Sequence, residues 1–509
     1  PSLRRSPGVP RRSVATRHDR KPCGCTEQAG PNLSLHRLRH SSGATHAPCT
    51  MSTEVEFAIE IAQAVRETGG RALFIGGWVR DQLRGHPSQD IDLEVYGLSA
   101  EQLRDLLATF GSVNAVGESF TVYKVGSIDV ALPRRESKSG RGHRGFTVTG
   151  DPNLSHDEAF RRRDFTINAI GWDPLLEEYI DPYSGRADLK DGLLRAVDPN
   201  TFSDDSLRVL RAVQFAARFE FSLEAETASL CASLPLDDLP AERVWGEFDK
   251  LLLLASKPSQ GFTLAQSLGI IDQLFPELVA LMNCPQEPEW HPEGDVWTHT
   301  LLVIDEARRR IDDLARPAQI AVMLGAVCHD FGKPATTRVI DGRIRSLDHE
   351  AAGIAPATTF LDRLNIRTID GFDVRHQVLG MVAHHLKPGM WHRSHDNVGD
   401  GAFRRLASKV DLELLARLST ADCLGRTGEF DCSSMEWFIE RARSLKVEHA
   451  PPEPVLKGRH LIARGWSAGP ALGTVLRAIY ERQLDGSVTT VEEAIDLAET
   501  WQKSQRTDD

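Results

Sequence analysis

The sequence predicts an α/β head over residues 51–197 followed by an all-α remainder, and three observations carry that prediction. Leu73-Phe74-Ile75 reads as a strand running through the paired glycines Gly76-Gly77 into a helix start. Asp90-Ile91-Asp92-Leu93-Glu94 reads as a second strand with alternate carboxylates. From Leu207 onward apolar residues recur at helical spacing, with no further strand-like alternation.

Each head element has its own reason. Side chains alternate across a strand, so Asp90 and Asp92 share one face while Ile91, Leu93 and Val95 bury on the other. Two carboxylates aimed at one spot repel unless a cation lies between them, and oxygen ligands of this kind suit Mg²⁺. Gly76 and Gly77 let the backbone approach a phosphate closely, and free N–H groups at the following helix start favour an anion. Alone, each feature also fits an ordinary turn or a solvated strand. In this order they form a carboxylate pair beside a phosphate cradle, which nucleotidyl transfer requires.

A helix at 54–68 precedes the strand 72–76, and a helix at 99–110 follows the carboxylate strand. Strands follow near 121–125 and 127–132. In the second of these Ile128, Val130 and Leu132 face one way, which leaves Asp129 as a third carboxylate to bind metal or accept a proton. Glu136-Ser137-Lys138-Ser139-Gly140-Arg141-Gly142 reads as a mobile basic loop or a plain linker. Arg161-Arg162-Arg163 begins a helix running through Asn168 and Ile170, and its guanidinium groups suit a triphosphate, which they grip bidentately.

Composition sets limits. Apolar residues make up 41% and charged residues 26%, the balance of an ordinary globular protein. No apolar run approaches the ~20 residues of a membrane span. A net charge of -12 excludes indiscriminate coating of nucleic acid, so a polyanion must be held by local basic patches. Residues 1–50 differ: they are basic, rich in Pro, Ser, Arg and Gly, and precede the first methionine, Met51. They read as a disordered leader outside the fold, either an upstream start or a transit peptide. The eight cysteines lack a Cys-x-x-Cys pair and read as reduced thiols.

Gly-Gly-Trp-Val-Arg-Asp at 76–81, Asp-Ile-Asp at 90–92, Arg-Arg-Asp-Phe-Thr-Ile-Asn-Ala at 162–169, Ile180-Asp181-Pro182-Tyr183 and Gly185 together resemble the class II tRNA nucleotidyltransferase and poly(A) polymerase family. The likeness is strongest to bacterial CCA-adding enzymes with an HD domain. It implies a five-stranded, polymerase-β-like head in which Asp90 and Asp92 hold two Mg²⁺. Gly77, Arg80 and Arg163 then contact the incoming nucleotide, and Asp164 lies where the family senses the ribose.

A neck over residues 198–284 follows. In Asp204-Asp205-Ser206-Leu207-Arg208, Asp205 and Arg208 are three apart and so are neighbours on a helix. An Asp accepting from an exocyclic amino group beside an Arg donating to a ring nitrogen suits both cytosine and adenine. Uracil and guanine would leave buried groups unpaired. Apart from the resemblance, a plain helix salt bridge is the preferred reading, and the resemblance reverses that order. By the same resemblance Arg211 reaches the triphosphate, and Arg243 helps position RNA or simply opens a helix.

Residues 285–430 bring His299, His329-Asp330 and Asp422 in the order of an HD-superfamily metal site, in apolar helical surroundings. An ionised Asp beside a His in such a run is costly to bury unless both coordinate metal. Imidazole with carboxylate suits a transition ion such as Ni²⁺ or Mn²⁺. His349 and the pair His384-His385 join a second metal or orient a phosphate. Residues 431–509 form a helical tail in which Gly465–Gly473 resembles a helix-turn-helix.

The resemblance implies template-independent addition of C and A from CTP and ATP to the 3′ end of tRNA, in the cytoplasm unless residues 1–50 are a transit peptide, with phosphohydrolase activity at the HD site. A poly(A) polymerase or A-adding enzyme shares most of these motifs. An HD phosphohydrolase with an RNA-binding head is the reading from another class, and the Asp90/Asp92 pair stands against it.

Overall fold

A computed structural model describes residues 53–506 apart from 87, 89, 117–121 and 139–145. The expectations for residues 1–50 and for the basic loop beyond Lys138 lie outside the described residues. Among the described residues no helix is long and apolar enough to cross a membrane.

The head is one mixed sheet of seven strands, two more than the family resemblance implies. They are β1 (Arg71–Ile75), β2 (Asp92–Tyr96), β3 (Val113–Val116), β4 (Val122–Val125), β5 (Ile128–Ala131), β8 (Gly171–Asp173) and β9 (Glu178–Ile180), in the order β3-β4-β5-β2-β1-β8-β9. Between β5 and β8, β6 (Arg134–Lys138) and β7 (Phe146–Gly150) form a separate antiparallel hairpin, so Glu136–Lys138 belong to a strand rather than to a loop. The extra pair β8–β9 is a short hairpin laid on the free edge of β1, where three-residue strands leave little alternation to read. Among the described residues of this seven-stranded sheet, only β2 and β5 pair in parallel.

The helix Thr53–Glu67 covers the sheet because Val55, Ala58, Ile61, Ala62 and Val65 fall on one stripe and bury together. Ser99 and Gln102 close a capping box on the helix Ala100–Leu107. Arg161 ends the helix His156–Arg161 rather than starting one: Phe165 is extended and Thr166–Asn168 make one 3₁₀ turn. The capping box of Ser155 and Glu158 places that helix start six residues before the arginine block.

From Phe165 a continuous apolar core runs through the neck and the histidine-bearing helices to Val447. The helix Leu207–Phe219 packs its Val209, Ala212, Val213, Ala216 stripe into it, against Ala241–Leu254 and Pro258–Ser267. The remainder is helical with small two-stranded additions, such as Thr337–Ile340 with Arg343–Ser346. Val455–Trp501 build a separate small core, tied back by ion pairs of Arg405 to Glu481 and Asp485. Pro470 opens a helix directly after the Gly465–Gly469 turn.

One cysteine expectation is overturned. Cys423 and Cys432 form a disulfide, whereas Cys231, Cys284 and Cys328 are free and buried. The bonded pair is nine residues apart across a loop, a spacing no local motif marks.

Candidate active site and a buried histidine centre

The head centre forms where the β1 turn meets β2 and β5. Gly76 has φ +67°, a conformation that disfavours side chains, and a Cβ there would lie 2.9 Å from Arg163 Nη1 and 4.0 Å from Asp92 Oδ2. The turn therefore carries the Arg163 guanidinium beside the Asp92 carboxylate. The helix after it, Gly77–Leu83, is only seven residues long.

Asp92 opens β2 and stands opposite Asp129 in the parallel β2–β5 register. Asp90 does not share the strand, contrary to the alternation read from sequence: it precedes β2, and its N–H donates to Ser88 Oγ at 3.2 Å instead of to a ladder. Asp92 is itself exposed, yet desolvation by the protein atoms crowded around it raises its pKa; Arg163 works against this, and Asp129 and Asp90 add to it. A carboxylate whose acidic neighbours disfavour its charged form suits a hard divalent cation. Asp129 also faces Lys124 Nζ at 3.5 Å.

Glu94, a site residue that sequence reasoning missed, is buried on β2 and accepts from Tyr96 Oη at 2.6 Å and from Arg162 Nη2 at 2.9 Å. It anchors the arginine block to the sheet. Beside it burial lowers the Arg163 pKa, and Glu94 opposes that shift.

Arg80, Asp164 and Arg211 meet in one buried network across the head–neck junction. Arg80 donates Nε and Nη2 to Asp81 at 2.9 and 2.8 Å and Nη1 to Asn168 Oδ1 at 2.7 Å, with its guanidinium over the Phe219 ring. Asn168 Nδ2 donates to Asp164 Oδ1 at 2.9 Å, and Arg211 Nε donates to Asp164 Oδ2 at 2.6 Å. Burial works to raise the Asp164 pKa, but Arg211 and Asn168 outweigh it and hold the carboxyl low.

Asp205 and Arg208 do not pair. Asp205 lies before the helix, which begins at Leu207, and its carboxylate takes two hydrogen bonds from Arg243. Arg208 donates to the carbonyls of Thr201 at 2.8 Å and Arg162 at 2.6 Å. A cleft of about 320 Å³ opens there, lined by Arg134, Arg135, Arg161, Arg162 and Arg208 together with the acids Glu158 and Asp204. Such a concentration of guanidinium groups suits a phosphate-bearing ligand.

The second centre gathers His299 from the helix Val296–Arg308, His329-Asp330 after Arg316–Cys328, and Asp422 from Leu412–Leu424. His299 Nε2 lies 3.0 Å from Asp422 Oδ1, and His329 Nε2 lies 3.2 Å from Asp330 Oδ2. Glu293, which the sequence reading left out, accepts from His299 Nδ1 at 2.8 Å and His291 Nδ1 at 2.9 Å, turning His299 Nε2 inward. His329 Nε2 and both Asp330 oxygens are buried without a well-aligned hydrogen bond. Burial works to raise the Asp330 pKa, yet His329 and Lys333 keep it well below the usual carboxylate range. This donor set of imidazoles and carboxylates fits a transition metal.

Known proteins resemble this chain in sequence and in fold. Residues 72–195 match the family described as "Poly A polymerase head domain", and residues 220–282 match "Probable RNA and SrmB- binding site of polymerase A". The multifunctional CCA protein of Mannheimia succiniciproducens is 39% identical over 303 residues, covering 58% of this chain and 70% of that protein. That of Xanthomonas campestris pv. campestris (strain B100) is 35% identical over 419 residues, covering 79% and 95% respectively. In fold, the chain is similar to the Bacillus stearothermophilus CCA-adding enzyme in complex with CTP, with a TM-score of 0.61 and 21% identity over 90% of this chain and 100% of that one. It is also similar to the Thermotoga maritima CCA-adding enzyme complexed with tRNA, with a TM-score of 0.53 and 20% identity over 88% and 96%.

An acidic α/β head joined to a helical body of this kind defines a nucleotidyltransferase. With one relative 35% identical and matched over 95% of its length, the chain belongs to the CCA-adding enzyme and poly(A) polymerase family.

Proposed function

We propose that this protein adds C and A from CTP and ATP to the 3′ end of tRNA without a template, in the cytoplasm. The division into head 51–197, neck 198–284, HD region 285–430 and tail 431–509 is part of the same reading. One observation carries it: Asp92 and Asp129 stand in register beside the Gly76 turn and Arg163. The relatives' names point the same way.

Asp90 and Asp92 would hold Mg²⁺ in the head, with Asp129 beside them. Bound there, the metal supplies charge neutralisation and makes a nearby hydroxyl easier to ionise. Asp129 is placed to accept the proton of the attacking 3′-hydroxyl. Arg163 meets negative charge that develops as pyrophosphate leaves. Arg80, Asp164 and Arg211 fix the neck helix against the head, and Asp205 and Arg208 would read a nucleotide seated at Gly76-Gly77 once Arg208 leaves the carbonyls of Thr201 and Arg162. The choice of C or A then requires Arg243 to release Asp205. The arginine cleft takes the RNA backbone, read by shape rather than sequence.

In the HD region His299, His329, Asp330 and Asp422 would bind Ni²⁺ or Mn²⁺ for hydrolysis of phosphate monoesters or 2′,3′-cyclic phosphates. The buried, unmatched donors at Asp330 and His329 support that part.

The test is purified protein with tRNA lacking its 3′ end and labelled CTP and ATP, resolved on a sequencing gel. Addition of two C and one A bears the reading out. Addition of A alone, singly or as a ladder, assigns the protein to the A-adding or poly(A) side of the family. No incorporation refutes both.

A further inference from the structure

Between Lys333 and His349 the chain leaves the helical body as a hairpin, Thr337–Ile340 paired with Arg343–Ser346. It turns at Asp341-Gly342, where φ is +51° and +76°, the conformation a two-residue hairpin loop requires. Both ends are tied to the HD centre. Lys333 Nζ lies 2.7 Å from Asp330 Oδ2, and Thr337 Oγ1 donates to the Lys333 carbonyl at 2.7 Å. At the other end His349 Nδ1 donates to the Ser346 carbonyl at 2.8 Å.

Side chains alternate across this ribbon. Thr337 and Ser346 meet on its half-buried face, their hydroxyl oxygens 2.8 Å apart. The other face carries Arg338, Arg343 and Arg345, all exposed. Arg338 and Arg345 stand directly opposite each other in register, an arrangement that like charges destabilise. Among the described residues no carboxylate offsets it. Arg338 donates to the carbonyls of Thr337 at 2.6 Å and Ala335 at 3.1 Å, and Arg345 has no hydrogen bond or ion pair. Arg343 is matched, by Glu289. In a chain of net charge -12, two unmatched guanidinium groups fixed side by side call for an anion from outside.

A path toward the buried histidines begins beside the hairpin. The Ile344 N–H donates to Glu287 at 2.9 Å, which holds the segment around Glu287 against the ribbon. An open groove of about 550 Å³ is lined by the neighbouring Gln286, by His291 and by the acid Asp295. Asp295 is already engaged, accepting from the N–H groups of Asn283 at 2.7 Å and Thr298 at 2.9 Å. The His291 ring lies 4.8 Å from that of His299, so the groove wall adjoins the HD centre. Trp290, next to His291 in the chain, is 51% exposed and offers an aromatic surface on which a base can stack.

We propose that this hairpin is a docking surface for an RNA strand whose terminal phosphate enters the HD centre along the groove. Arg338 and Arg345 take backbone phosphates, which guanidinium groups grip bidentately, and Trp290 stacks on a base. The substrate of the HD region is then the end of a polynucleotide rather than a free mononucleotide. This rests on the reading of the HD region as a metal-dependent phosphohydrolase.

The test uses the full chain with Mn²⁺ and compares a short RNA ending in a 3′-phosphate with p-nitrophenyl phosphate, which is too small to reach the hairpin from the HD centre. Arg338→Ala combined with Arg345→Ala should raise KM for the RNA about tenfold or more and leave kcat unchanged. The slope of log KM against log salt should fall by about 1.4, the counterion release of two phosphate contacts on a single strand. Cleavage of p-nitrophenyl phosphate and the melting temperature should match the parent chain. Arg338→Lys combined with Arg345→Lys, which keeps the charge, should restore most of the salt slope. Without metal, a photoreactive group at the RNA 3′ end should crosslink within residues 285–298 or 337–346. An unchanged KM and salt slope, or crosslinks confined to the head and neck, overturns the docking surface; the HD reading stands if p-nitrophenyl phosphate is still cleaved. Cleavage of neither substrate by the parent chain overturns both.

Discussion

Asp205 accepts two hydrogen bonds from the Arg243 guanidinium, 3.0 Å to Oδ1 and 2.8 Å to Oδ2, so the acid proposed to read bases is held by a neck arginine. Both side chains are intermediate in exposure, and the proposed base reading requires the pair to open.

The Asp205–Arg243 pair separates selectivity from stability. Arg243→Ala should change stability by no more than about 1 kcal/mol, the range of partly exposed ion pairs. Asp205→Ala should raise misincorporation of UTP or GTP about tenfold or more, since one well-formed bidentate base contact discriminates by about 1–3 kcal/mol. Sequencing the products from mixed nucleotides, alongside thermal melts, checks both.

Asp92 makes the effect of Mg²⁺ on stability depend on pH. Its pKa is raised, by burial first and then by its acidic neighbours against the pull of Arg163. Between the ordinary carboxylate value and the raised one, the folded chain holds a proton that the unfolded chain releases. Stability without metal therefore falls as pH rises through that window. Mg²⁺ binds the ionised form, so its stabilising effect should be absent below the window and grow through it. Asp92→Asn should abolish both trends and lower incorporation by about a thousandfold, the loss of several kcal/mol of charge stabilisation. Melting curves with and without Mg²⁺ across acidic to neutral pH decide this; a Mg²⁺ effect independent of pH would count against it.

Asp164 behaves in the opposite sense. Its carboxyl is held low despite burial, by Arg211 and Asn168, so its contribution is complete above the ordinary carboxylate pKa and is lost as pH falls through the lowered value. Asp164→Ala strands Arg211 and should cost about 3 kcal/mol, measured by urea unfolding.

Glu293→Gln should weaken transition-metal binding about 10- to 100-fold by loosening His299, while nucleotide incorporation stays as in the parent protein. A chelator competition assay together with the tRNA extension assay checks the two halves independently.

What the sequence made legible was local. The Gly76-Gly77 turn, the acid at Asp92 and the His329-Asp330 pair are each written in short runs, where side-chain alternation or a costly buried charge marks them. Contacts between distant segments were not. Glu94 looks like a third solvated acid until Arg162 and Tyr96 arrive from elsewhere in the fold. Asp205 and Arg208 have helical spacing, but the helix begins two residues after Asp205, and Arg243, far along the chain, takes the carboxylate. The arginine block was placed in the wrong element because the capping box that sets the helix start lies upstream. Glu293 sits in a run read for its histidines, and only the fold turns its carboxylate onto His299.

The parallel pairing of β2 with β5 makes the head unequally tolerant of insertions and deletions. The ladder sets Asp92 and Asp129 at one level, so the loops of the connection, outside the helix Ala100–Leu107 and the strands β3 and β4, can gain or lose residues without separating them. A single residue added or removed inside Ile128–Ala131 would instead send Asp129 into the apolar side and bring Val130 to the acids. Divergence in chain length is therefore expected to collect in the connection and to stop at the strand.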